Sequence, residues 1–387
     1  MLRPSLVLLA LLVLLRSALA FQGALNFDQQ ITELNRQVLE ACQAKKYDVA
    51  LKALGELNAL QPEHPGNAYN HACVHSLNGN TGEGLAWLER AVSWGFGGSK
   101  ARIFVPGASA PSPIWHAEMA EQDQDLAPLR AESRFARLLE RMRATQTRVE
   151  EYTAKPGLFV PSALEGRAEA PVLVLLHAEG SERDATVQRF RALAERHGLV
   201  LLVPAAPVPM KEAAAAGMRW IDDPVAFRAG QDRDVALAAV DRALSQLSLR
   251  GIRPESLCFA GLGEGGTLAL LAAFAKARQT RAVCVVDPNF ELDWVFAQSA
   301  AAKQAGLRLC WIETLPADAA QVEARRTAQA RRQAQCVQWG LSDPRCLLEV
   351  SGAAEPRERL LETHLGPLLA PPAPAAGSSD SLPPSPR

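Results

Sequence analysis

No charge sign dominates this chain: 41 Lys and Arg stand against 42 Asp and Glu. That balance leaves no basic stripe for nucleic acid and no acidic block to act as a solvating tail. Beyond the N-terminal segment, no run is long and apolar enough to cross a bilayer, which needs about 20 residues. There is no C-x-x-C, and no sequence-readable metal or cofactor site follows from the cysteines. The seven cysteines are an odd set, so at least one thiol is free. Cys258, Cys284 and Cys310 fall in apolar runs and read as buried thiols acting as small hydrophobes. Cys336 and Cys346 flank a loop where a pair is one alternative.

The first 20 residues carry what the rest lacks. Arg3 precedes an apolar core from Leu6 to Leu15, and Ser17-Ala18-Leu19-Ala20 ends in a small-x-small pattern. The core is too short to span a membrane, so residues 1–20 read as a signal peptide cut before Phe21. The alternative is an uncleaved signal anchor, and Arg16 sits late in the segment. No cysteine follows the cleavage site, which argues against a lipid anchor. The expectation is export, to a periplasm or the medium, with no membrane span after cleavage.

Residues 21–146 read as helical. "YDVALKALGELNALQP" puts Ala50, Leu51, Leu54 and Leu57 on one face, and "TGEGLAWLERAVSWGF" repeats the plan with Gly84, Leu85, Leu88 and Ala91. Ala50 and Gly84 are equivalent small positions 34 residues apart, where a small side chain lets two helices approach closely. His71 and His75 share a helical face with Cys73 nearby, but a zinc site needs three or four ligands and no others are identifiable. Packing or surface roles are the simpler reading. Phe104 to Ile114 is rich in Pro, Gly and Ser and reads as a loop.

These helices resemble the tetratricopeptide family. "YNHACVHSLNGNTGEGLAWLERAVSWGF" and "DLAPLRAESRFARLLERM" resemble in particular the type that ends such arrays, over about 80 residues. The resemblance implies a scaffold that binds a protein partner. The alternative is an array that only packs on the next domain.

After residue 150 the pattern changes. Short apolar runs ("LFVP", "APVLVLLHAEG", "LVLLVPAAP", "SLCFAG", "AVCVVD", "LRLCWIE", "CLLEV") alternate with helical segments to residue 369. The unbroken run Val172 to Leu176 is typical of a strand covered on both faces. Alternation of this kind predicts a mostly parallel sheet with helices on both faces, so the fold class is α + α/β. Residues 370–387, rich in Pro and Ser, read as a disordered tail.

"SLCFAGLGEGGTLALLAA" reads as strand, Gly-rich turn and helix, the context of the nucleophile motif G-x-S-x-G. Here the five positions are Gly261-Leu262-Gly263-Glu264-Gly265. With "VLVLLHAEG" and "PADAA", this segment resembles the α/β-hydrolase superfamily, in particular the carboxylesterase, phospholipase and polyhydroxybutyrate-depolymerase-like esterases, over about 215 residues. The resemblance places the nucleophile position at Gly263, the acid at Asp318 and the oxyanion loop at His177, Ala178 and the N–H of Glu264. The histidine slot falls at Ala353 or Ala354. A glycine cannot be a nucleophile, and no imidazole stands ready as a base. His364 comes too late, within a helix.

Asp287 is a second carboxylate at a strand end, and Asp318 could equally cap a helix. The expected protein is therefore non-catalytic and esterase-like, with a small ligand possible in the vestigial cleft. The alternative is an ester hydrolase with an unorthodox site around Asp318 and Asp287.

Overall fold

The computed structural model describes residues 27–103, 112–213, 217–222, 233–288, 304–314, 347–351 and 356–369, with isolated positions between them. Asp318, Ala353, Ala354, Cys336 and Cys346 lie outside the described residues, as do the expected signal peptide and tail.

The N-terminal unit is built from helices. After α1 (27–43) come α2 (Tyr47–Leu60), α3 (Pro65–Leu77) and α4 (Thr81–Ser93). Ala50, Leu54 and Leu57 of the expected α2 face are buried, whereas Leu51 is only half-buried and Ala53 is buried beside them. Gly84 in α4 lies close against α3 and the following 3-10 turn: a Cβ there would stand 3.3 Å from the Ala72 carbonyl oxygen and 3.3 Å from Leu129. The expected close approach of two helices at this small residue is thus observed.

The loop expected from Phe104 to Ile114 needs correction at its end. Strand β1 (Lys100–Ile103) pairs antiparallel with β2 (Ser112–Trp115), Lys100 opposite Trp115. Backbone pairing overrides the local bias of Ser112 and Pro113, and Pro is tolerated in so short an edge strand. Helix α5 (His116–Gln122) and the long α6 (Ser133–Thr153) complete the unit.

The second unit holds a seven-stranded sheet. Its strands are β3 (Gly157–Phe159), β4 (Glu169–Leu176), β5 (Val200–Val203), β8 (Arg253–Leu262), β9 (Thr280–Val286), β10 (Arg308–Thr314) and β11 (Leu347–Ser351). The spatial order is β11-β10-β9-β8-β4-β5-β3, parallel throughout except that β3 runs antiparallel to β5. A two-stranded ribbon, β6 (Val208–Pro209) and β7 (Met218–Arg219), stands apart.

Alternate residues of β4 enter different cores, as pleating requires. Val172, Val174 and Leu176 join one cluster with α8 (Arg233–Leu249) and α9 (Glu264–Ala275). Leu173 and Leu175 join the other, with α7 (Arg183–His197) and α10 (Arg357–Leu369). The unbroken apolar runs are therefore explained by helices on both faces of the sheet.

Cys258, Cys284 and Cys310 are buried in this sheet as expected, and Cys284 sits in register with Cys310. Burial pushes the Cys258 thiol up to about 11, beyond the reach of ordinary pH.

The two units share a contact surface. Val149 of α6 is part of the sheet unit's core. Arg141 grips the Glu212 carboxylate with two N–H bonds of 2.8 and 2.6 Å, and Arg148 donates to the Glu212 carbonyl oxygen.

Candidate functional site

Strand β8 lies between β4 and β9 and is buried from Leu257 to Leu262, so its end is a fixed point of the fold. The chain turns at Gly263 (φ 55°, ψ −125°) and enters α9 at once. A side chain in this conformation is strained by roughly 1–3 kcal/mol, whereas glycine adopts it freely. The flanking glycines answer to space. A Cβ on Gly261 would overlap the Gly265 carbonyl, and one on Gly265 would overlap the carbonyl oxygens of Leu176 and His177. Helix α9 therefore starts jammed against the ends of both β8 and β4. It is buried on every side from Glu264 to Phe274, and an all-round apolar helix is what such a position requires.

The place of a side chain on Gly263 is taken. The three heavy atoms nearest a Cβ built there all belong to the Glu179 carboxyl group, with Cδ 3.0 Å and Oε1 3.1 Å away. Glu179 Oε2 accepts the backbone N–H of Glu264 at 3.1 Å, at the first turn of α9. A carboxylate is favoured there by the unpaired amides and the helix dipole. The nook that the sequence placed at Ala178 and the Glu264 N–H is thus filled by a side chain of the chain itself.

Glu179 is held by its loop. The Gly180 N–H donates to Met218 O of β7 at 3.0 Å, and a Cβ on Gly217 would collide with Gly180. On the far side, Arg357, the first residue of α10, stands 3.9 Å from Glu179 Oε1 and donates to Asp287 Oδ2 at 2.9 Å. Asp287 is buried, with φ 46°. It accepts from Thr314 N at 2.7 Å and Thr314 Oγ1 at 2.6 Å, fastening the ends of β9 and β10 together. The aspartate that the sequence offered as an alternative reactive carboxylate is therefore bound into the frame.

The Glu264 carboxylate points away from the turn. It is buried and accepts from Trp220 N at 2.9 Å and Ile221 N at 3.3 Å. Burial pushes its pKa up to about 7; the two N–H bonds and Arg219 oppose the shift, and Glu179 adds to it.

His177 is enclosed beneath the same loop. Its carbonyl accepts Trp220 Nε1 at 2.8 Å, and its Nδ1 lies 2.8 Å from Ala178 O. A carbonyl can only accept, so Nδ1 carries the proton. Burial lowers the pKa of this imidazole to about 4, so it is neutral at physiological pH. Nε2 has no partner among the described residues. The structure brings together Gly263, Glu264, His177 and Ala178 but sets Glu179, not His177, against Gly263. His364 sits inside α10.

Sequence reasoning missed Glu179 and Arg357. The only signal for Glu179 was an acid within the quoted oxyanion-loop segment. His71 also departs from the metal alternative: its ring lies flat on Trp87 with centroids 3.9 Å apart, and Cys73 turns to Asp123. No group of three potential metal-ligating side chains occurs among the described residues.

A cavity of about 640 Å³ lies between the helical unit and the sheet unit. Trp220 and Ile221 line it, but Gly263, Glu179 and His177 do not.

The sheet unit is of mixed α/β architecture, a mostly parallel sheet covered by helices. No family model and no curated protein matches the chain. Among solved structures it is similar to esterase PE8, at 16% identity over 55% of this chain and 98% of that one, with a TM-score of 0.40. It is similar to an uncharacterized protein from Bacillus cereus ATCC 10987, at 13% identity over 87% and 98%, with a TM-score of 0.38. Est1E from Butyrivibrio proteoclasticus is similar at 10% identity over 55% and 91%, with a TM-score of 0.34.

Proposed function

We propose that this chain is an exported, non-catalytic relative of the esterases of the α/β-hydrolase superfamily. Its helical unit, of the tetratricopeptide kind, then serves to bind a protein partner. The observation that carries the loss of catalysis is the Glu179 carboxylate, which stands where a nucleophile's side chain would and takes the N–H of Glu264. An oxyanion needs that donor. A fixed carboxylate there both occupies the donor and repels developing negative charge. Hydrolysis would also need a hydroxyl at Gly263 and a base at the Ala353/Ala354 slot, and neither residue type is present. With the chemistry gone, the molecule acts through binding or scaffolding.

Turnover of short-chain p-nitrophenyl esters by the purified chain tests this reading. The expected rate equals the buffer blank. A rate above it that Asp318→Ala abolishes would restore the unorthodox hydrolase.

A further inference from the structure

The cavity between the two units is separate from the Gly263 turn, and nothing in the proposed function uses it. Its volume of about 640 Å³ is of the size that small-molecule sites occupy, about 300–1,000 Å³. Much of its wall is apolar: Trp115 and Val149 come from the helical unit, and Val208, Trp220, Ile221 and Phe227 from the sheet unit. A polar cluster lies within this wall, apart from Thr153, Ser245 and Gln246, which also line it. Ser99 Oγ donates to Asp222 Oδ2 at 2.7 Å and lies 3.3 Å from His116 Nδ1.

That cluster has a definite hydrogen-bonding capacity. His116 Nδ1 accepts the N–H of Gly97 at 3.3 Å, so it carries no proton, and burial keeps the imidazole neutral by lowering its pKa. The single Ser99 proton goes to Asp222. Arg219 reaches Asp222 Oδ1 at only 3.4 Å. Burial opposes the charge on Asp222, but Arg219 and the Ser99 hydroxyl outweigh it and hold the carboxyl below the usual carboxylate range, so Asp222 is ionised. Each carboxylate oxygen accepts from two or more donors, so Asp222 can take a further hydrogen bond from an occupant.

The charge around the cavity narrows the occupant further. Lys100 and Arg242 are offset by Glu150 and Asp222 among the described lining residues. Lys100, Arg242 and Glu150 are exposed at the mouth, with Lys100 Nζ 4.9 Å over the Trp115 ring. A carboxylate head beside Asp222 would meet a like charge, and an ammonium head would bring a second cation against Arg219, which already stands 3.4 Å from Asp222 Oδ1; burying an unpaired charge is costly. A hydroxyl satisfies the acceptor without that cost.

We propose that this cavity binds an uncharged amphiphile: an apolar chain or ring carrying a hydroxyl that donates to the Asp222 carboxylate, with its body against Trp115, Trp220 and Phe227. The site joins both units, so an occupant would stiffen their contact.

The test titrates the full chain with decan-1-ol, decanoate and decylammonium, read by tryptophan fluorescence and calorimetry. Decan-1-ol is expected to bind at least about tenfold tighter than either ion, about 1.4 kcal/mol. Ala243→Phe, which fills the cavity from α8, is expected to weaken the alcohol by about tenfold or more. Asp222→Asn removes the charge but keeps an acceptor, and is expected to narrow the alcohol-over-decanoate preference. Should Ala243→Phe fail to fold, Ala154→Phe at the exposed mouth takes its place. Equal or tighter binding of decanoate or decylammonium, binding untouched by the filling variant, or no binding of the alcohol would each overturn the proposal.

Discussion

The Glu179 carboxyl group fills the space that a side chain on Gly263 would need, with its Cδ 3.0 Å from the position of a Cβ. Gly263→Ala must therefore accept strained backbone and a collision together. The expected loss is about 1–3 kcal/mol from the backbone alone, plus the displacement of Glu179. In a Glu179→Ala background only the first part remains. A double-mutant cycle by chemical denaturation is expected to give a coupling of about 1 kcal/mol between the two sites. Additive effects would mean that Glu179 does not occupy that space.

Gly263→Ser is expected to create no esterase, either alone or with Glu179→Ala. The serine would lack a histidine, and an unactivated hydroxyl is a poor nucleophile. Measurable turnover of p-nitrophenyl butyrate by either variant would reveal a base that the sequence assignment overlooked.

Gly265 and Gly55 separate crowding from backbone freedom. Gly265→Ala drives a methyl into the Leu176 and His177 carbonyls and is expected to cost about 3 kcal/mol or more. Gly55 lies inside α2 with nothing within 4 Å of its Cβ position. Gly55→Ala is expected to stabilise by about 0.5–1 kcal/mol through helix propensity. Thermal or urea melts check both.

Two buried groups give opposite slopes of stability against pH. The native pKa of Glu264 is raised from 4.5 to about 7, so the folded state holds a proton that the unfolded state has released. Its contribution is full below about pH 4.5 and is lost as pH rises through 7. The native pKa of His177 is depressed from 6.5 to about 4, so its contribution is present above about 6.5 and is lost as pH falls towards 4. Glu264→Gln keeps an oxygen to accept from Trp220 and Ile221. It is expected to raise stability at pH 8 by on the order of 2–3 kcal/mol and to leave it little changed at pH 4.5. A uniform change at both values would contradict the assignment.

Much of this architecture is legible in the sequence. The β4 run shows no alternation because residues on both faces are buried, and its length and neighbours identify it as a covered strand. That no hydroxyl stands at Gly263 and no imidazole at Ala353 or Ala354 is a matter of residue identity alone. Glu179 was not legible. Which side chain fills the empty place depends on the path of the 177–181 loop, and that path is set by a backbone bond from Gly180 to Met218, far along the chain. The β1–β2 pairing was hidden for a similar reason, since Ser112 and Pro113 have local preferences that pairing overrides. Asp287 read as a possible reactive group only because it is a second carboxylate at a strand end. Its bonds to Thr314 and Arg357 come from two later elements.

The most direct test of the proposed non-catalytic role is the intact mass of the full chain after treatment with an alkyl fluorophosphonate, beside an active serine esterase as control. The account predicts no adduct on the wild-type chain under conditions that label the control completely. A stoichiometric adduct that disappears on competition with a short-chain ester would contradict it.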